Sequence, residues 1–220
     1  MASNAVHGFL PSRHGFAFPN RWPAAPARVF RLGLVQVGIG DASRGLCGGM
    51  VFVARDRFEL GGLALAGAGQ PEPGTPLFDE IVGRQLDSFG PLWTVPLRFW
   101  LAALGGQGRR DRETVRSAWP AIRADIDRGV LSMVGLVRSA TGNPLHPNLG
   151  HQVIGYRYEE ASSRVTLGVY DPNHPGDDGV TVGFDVGSGG ELSLRQSTGE
   201  PLLGLLHLPW REARQPSSEA

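Results

Sequence analysis

The sequence predicts an α+β protein in which a helical N-terminal lobe packs on a mostly antiparallel sheet. Two observations predict it. Apolar residues in the first half recur at helical spacing, and those in the second half fall into short strand-like runs separated by turn residues. Segregation of the two periodicities along one chain argues against a βαβ arrangement. The size fits a single domain: 220 residues, with 41% hydrophobic content available for a core.

The first 28 residues are rich in proline, glycine and aromatic side chains and read as an irregular arm. Within it, "SRHGFAFPNRW" carries His14, Phe16, Phe18 and Trp22, aromatic residues suited to stapling the arm to the core or lining a pocket. "VFRLGLVQVGIG" reads as a strand or a loop over the core. Leu46, Met50, Val53, Ala54 and Phe58 form one apolar helical stripe, with Asp41 and Ser43 ahead of it as N-caps. "GAGQPEPGTP" is a loop. Residues 77–104 read as helix in pieces, broken at Pro91 and Pro96, and "GGQGRRDRE" as a polar connector. Val115, Trp119, Ile122 and Ile126 mark another helix, started or kinked by Pro120 and ended by Gly129. From there "VLSMVGLV", "HQVIGYRY", "RVTLGVY", "VTVGFDV", "ELSLR" and "LGLLHL" read as strands. The domain therefore spans 29–209, and 210–220 reads as a disordered tail.

Composition narrows the function. Lys+Arg and Asp+Glu both number 21, all the basic residues are arginine, and they are scattered. That pattern gives no footprint for nucleic acid or an anionic membrane. No uncharged apolar run is long enough to span a bilayer, and the N-terminus lacks the pattern of a secretory signal, so a cytoplasmic location is expected. The single cysteine excludes an internal disulfide and a cysteine-based zinc site.

That cysteine, Cys47, stands where a helix begins and is followed by Gly48 and Gly49, each costing about 1 kcal/mol in a helix. A helix N-terminus stabilises a thiolate through its dipole and free N–H groups. Small neighbours would let a substrate backbone approach. Farther along, the runs around "EEASS" suggest a hairpin centred near 161, which would set His151 opposite Asp171. A register slip of one or two positions would substitute Asn173. A histidine oriented by a carboxylate, with a thiol nearby, is the machinery of nucleophilic acyl transfer. "DPNHPGDDGVTV" places Asp171, Asn173 and Asp177 near calcium-loop positions, but Pro175 and Val182 interrupt the pattern, and no metal or other cofactor is expected.

The order Cys47, His151, Asp171, the "GLCGG" helix start and the "GHQVIGYRY" strand resemble the papain-like cysteine peptidase fold. The closer likeness is to the bacteriocin-leader-processing, double-glycine peptidases, on "DIDRGVLSMVGLV", "HQVIGYRY" and "YDPNHP". The resemblance covers about residues 40–175. It implies a Cys47–His151–Asp171 triad that hydrolyses or transfers a peptide or amide group, with a peptide or protein as substrate. It also implies a glutamine six residues before the cysteine as oxyanion donor. Asp41 stands there instead, leaving Gln36 and Ser43 as substitutes and admitting a second reading, an inactive papain-like module that binds a peptide or partner.

Overall fold

The computed structural model describes residues 1–23, 28–32, 35–39, 45–61, 65, 67, 69–143, 149–187 and 192–212. For 28–32 and 35–39 only the backbone is described. The predicted caps Asp41 and Ser43 lie outside these residues, as does the side chain of Gln36.

In chain order the elements are β1 (Ala2–Ala5), α1 (Pro11–His14), β2 (Arg28–Leu32), β3 (Val35–Ile39), α2 (Cys47–Glu59), α3 (Pro76–Ser88), a 3-10 turn (Pro91–Trp93), α4 (Thr94–Leu104) and α5 (Gln107–Glu113). A π-turn (Thr114–Ala118) leads into α6 (Trp119–Asp127). Then come β4 (Ser132–Val137), β5 (Gly150–Ala161), β6 (Arg164–Tyr170), β7 (Thr181–Val186), β8 (Leu192–Gln196) and β9 (Gly204–His207). The sheet runs β8-β7-β6-β5-β4-β9, antiparallel at each described pairing. β1 pairs with the far half of β5, so the N-terminal arm adds a strand to the sheet. β2 and β3 pair separately. The chain is thus α+β. Among the described residues, no helix is long and apolar enough to cross a membrane.

Several elements differ from the sequence expectation, each for a local reason. α2 is buried on nearly every side, Val51, Phe52, Arg55 and Asp56 included, rather than along one stripe. It is the central helix of the core, and the Arg84–Asp56 ion pair (2.7 Å) ties it to α3. Pro96 does not break α4, because it sits in the first turn, where its missing N–H has no intrahelical acceptor. The "polar connector" contains helix α5, in which Gln107, Arg109, Arg110, Arg112 and Glu113 are good helix formers. Its buried Arg110 donates to the carbonyls of Gly105 and Ala102 and so satisfies the C-terminal end of α4. Gly129, at φ +74°, ends α6 as expected. Trp210 and Arg211, read from the sequence as tail, are docked. Trp210 lies 3.9 Å under the Arg55 guanidinium, and the Arg211 carbonyl accepts a bond from Arg84 at 2.6 Å.

The arm is stapled to the core through rings. Phe16, Phe18, Trp22 and Phe78 form a chain of neighbouring rings with centroids 4.9–5.8 Å apart. The start of β5 is fixed from the other side by Phe99 of α4, whose ring fills hollows left by Gly135 and Gly150. A Cβ on either glycine would lie within 2.7 Å of that ring.

Candidate active site

The first turn of α2 carries no side-chain cap from its own N-cap residue, Leu46. Its orphan donors are met from elsewhere in the chain. Asn20, on the arm, accepts the Leu46 N–H (2.6 Å), and Gln85 of α3 accepts the Gly49 N–H (2.9 Å). Gly45, at φ +89°, makes the backbone bend against Asn20.

Gly48 and Gly49 do not leave room for a substrate, as their place beside the cysteine suggested. They let α3 and β5 close on α2. A Cβ at Gly49 would meet the Ile81 carbonyl oxygen at 2.0 Å, and one at Gly48 would meet Ser88 Oγ at 2.1 Å and Gln152 Nε2 at 2.8 Å. Gln152 Nε2 donates to Ser88 Oγ (3.2 Å), which donates to the Gln85 carbonyl (2.8 Å). The glycines seat the histidine strand against the cysteine helix.

The strand register differs from the expected one by two positions. Glu159, Glu160 and Ala161 continue β5, and the turn falls at Ser162, with φ +54°, and Ser163. Ile154 faces Tyr170, so the position across from His151 in this register would be 173. β6 ends at Tyr170, however, and the following turn brings Asp171 to the ring: His151 Nε2 and Asp171 Oδ1 are 2.6 Å apart. The side chain of Asn173 is not the orienting group. Its Oδ1 accepts from Asn20 (3.4 Å), while its backbone N–H donates to Asp171 Oδ1 (2.8 Å). Asp171 is thus at once the turn initiator and the histidine's partner.

Cys47 is partly exposed at the helix start. Its sulfur lies within electrostatic reach of the His151 ring and close to the backbone N–H groups of Gln152 and Gly48. With Nε2 held by Asp171, Nδ1 is the nitrogen left for the sulfur. Burial pushes the Cys47 thiol up, but the His151 charge and the neighbouring Gln152 and Gly48 N–H groups outweigh it and leave the thiol below its ordinary value. For His151, burial favours the neutral ring. The carboxylate of Asp171 and the sulfur of Cys47 reverse this and raise it to about 9. Asp171, fully buried, is pushed up by that burial and pulled down further by His151, the Asn173 N–H and Arg138, to about 2. The arrangement favours a thiolate beside an imidazolium.

The two shifts have opposite signs in pH. The raised His151 contributes stability fully present below its unfolded value of ~6.5 and lost as pH rises through about 9. The lowered Cys47 contributes stability that grows with pH up to its unfolded value of ~8.5. Between about pH 6.5 and 8.5 the two slopes oppose each other. Cys47→Ser removes the opposing slope and part of the support for the raised His151, while Asp171 still holds the ring charged. Thermal melts of Cys47→Ser should therefore decline with rising pH in this window more steeply than those of the wild type.

The acid's outer oxygen opens onto a second group of polar residues. Asp171 Oδ2 accepts from Gln196 Nε2 (2.9 Å) and lies 3.6 Å from Arg138 Nη2. Arg138 forms a two-pronged pair with Glu200 (3.2 Å on each oxygen), and Glu200 also takes bonds from Thr198 (2.7 Å) and His174 (3.3 Å). Ligand atoms of Asp171, His174 and Glu200 lie within 4.8 Å of one another, but each carboxylate is already engaged by a cation. Asp178, in the same loop, caps α1 by accepting from the Ser12 N–H and Oγ (2.7 Å each). Asn20, Gln85, Arg138, Gln152, Gln196 and Glu200 carried no spacing signal in the sequence. They meet the site only through the fold.

Compared with protein-family models, with curated proteins and with solved structures, the chain matches none.

Proposed function

We propose that the protein is a thiol-dependent hydrolase or acyl transferase acting on a peptide or amide bond, built on a papain-like version of the α+β fold. The observation that carries this reading is Cys47 at the start of α2, within electrostatic reach of His151, whose far nitrogen lies 2.6 Å from Asp171. The order of the three along the chain is the one the resemblance implies. A lone buried cysteine would have no use for a charged, oriented imidazole.

The chemistry follows from the geometry. The sulfur attacks the carbonyl carbon, and the C–N bond breaks as His151 gives its Nδ1 proton to the leaving nitrogen. The acyl group is left on Cys47 as a thioester. His151, now neutral, takes a proton from water or an acceptor amine, which attacks the thioester and frees the sulfur. Asp171 holds the ring in the required tautomer throughout. The N–H of Cys47, without an intrahelical acceptor, is a donor for the oxyanion.

The reading is tested by incubating the native protein with an activated peptidyl ester and mapping adducts by mass spectrometry. An acyl group on Cys47 that is absent from Cys47→Ser and turns over in the wild type is the expected result. Modification of Cys47 only after unfolding would overturn the enzyme reading and leave the inactive peptide-binding module.

A further inference from the structure

Behind the triad a chain of polar and charged groups continues toward the surface. Cys47 meets His151, His151 meets Asp171, Asp171 meets Arg138, Arg138 meets Glu200, and Glu200 meets His174. The inner members are secluded. Asp171 is fully buried and the Arg138 side chain is 12% exposed, whereas those of Glu200 and His174 are 30% and 34% exposed. Gln196, also buried, spans the gap. Its Nε2 donates to Asp171 Oδ2 at 2.9 Å and its Oε1 accepts from Arg138 Nη2 at 3.3 Å. Gln196 thereby locks the carboxylate and the guanidinium in a fixed relation.

We propose that Arg138 is a positioning residue for the proposed acyl-transfer site, acting through Asp171, and that Glu200 tunes it. This rests on the reading of Cys47 and His151 as a nucleophile–base pair. Arg138 draws on Asp171 from the side opposite the imidazole, so the carboxylate is shared between two cations rather than given wholly to His151. Too tight a hold on the imidazolium would make His151 a poor acid toward the leaving nitrogen. Glu200 limits the pull of Arg138 in turn. The surface member, His174, sees Glu200 directly, and its ring lies close to Asp171 as well.

The arrangement predicts opposite effects from its two members. Arg138→Gln removes the competing cation and leaves Glu200 uncompensated, and both changes stabilise the imidazolium. Glu200→Gln releases the full charge of Arg138 and destabilises it. The readout is the rate of alkylation of the native protein by iodoacetamide as a function of pH, which needs no substrate. The wild type should show an acid limb, where Cys47 ionises beside the charged ring, and an alkaline limb, where His151 loses its proton. Arg138→Gln should move the alkaline limb up by about one pH unit and Glu200→Gln should move it down by a similar amount. The double variant should lie near the wild type, and Arg138→Lys should restore the limb. Melting temperatures identify any variant that does not fold, and Glu200→Gln and Arg138→Lys, which keep a cation beside Asp171, hold the test open in that case. Limbs that stay in place in folded Arg138→Gln and Glu200→Gln, or that move in the same direction, overturn the role of Arg138. A wild type with only one limb near pH 8.5 overturns the nucleophile–base reading itself.

Discussion

His151→Gln should slow alkylation of Cys47 at pH 6 by about two orders of magnitude. In the wild type the charged ring, with the neighbouring N–H groups of Gln152 and Gly48, lowers the thiol and so favours the anion. Without the ring's charge, burial dominates, and the thiol returns to or above its free value of ~8.5. At pH 6 such a thiol is only about 0.3% ionised. Glutamine is the informative replacement because its amide can still donate to Asp171 Oδ1, so the buried carboxylate keeps a partner and the fold survives. The assay is a stopped time course with iodoacetamide, scored by mass on the single cysteine. Equal rates in the two proteins at pH 6 would show that His151 does not govern the sulfur.

Gly49→Ala should be the most destabilising single substitution at the site, by about 3 kcal/mol or more. The added methyl would sit 2.0 Å from the Ile81 carbonyl oxygen and 3.0 Å from the Gln85 nitrogen. Both are backbone atoms of α3, so relief requires α2 and α3 to move apart. Separation would break the Gly49–Gln85 hydrogen bond (2.9 Å) and disturb the buried Arg84–Asp56 pair. Gly48→Ala differs in kind. Its obstacles are the Ser88 hydroxyl and the Gln152 amide, which can rotate or be removed. Gly48→Ala should therefore cost less, and Ser88→Gly should recover part of the loss. Urea unfolding of the two single variants and the double variant checks both statements. A Gly49→Ala protein as stable as the wild type would mean the two helices are not packed as closely as described.

The contrast between these residues shows what could be read from the chain. The helix start at Cys47, the strand carrying His151 and the strand and turn that lead to Asp171 were legible, because each follows from a local periodicity or turn signal. The partnership of His151 with Asp171 was also legible, although by a route that differs in detail. The strand arithmetic assumed a turn at 161, whereas β5 runs on to Ala161 and Asp171 reaches the ring from beyond the end of β6. The role of the two glycines was not legible. Their neighbours, Ile81, Gln85, Ser88 and Gln152, lie some 30 to 100 residues away, and close approach between elements leaves no trace in local spacing. The same holds for Asn20, which caps α2 from the arm, and for Arg138, Gln196 and Glu200 behind the acid. The α5 segment differs for another reason: its polar residues resemble a connector in sequence, while in the fold Arg110 turns inward to satisfy the end of α4.

The most direct test is an ultraviolet titration of the native protein, in which thiolate absorbance is followed against pH and that of Cys47→Ser is subtracted. Since the chain has one cysteine, the difference reports that sulfur alone. Ionisation well below pH 8.5, retained until the protein unfolds at acid pH, is the result required by a sulfur anion paired with His151. A single ionisation at or above pH 8.5 would contradict it.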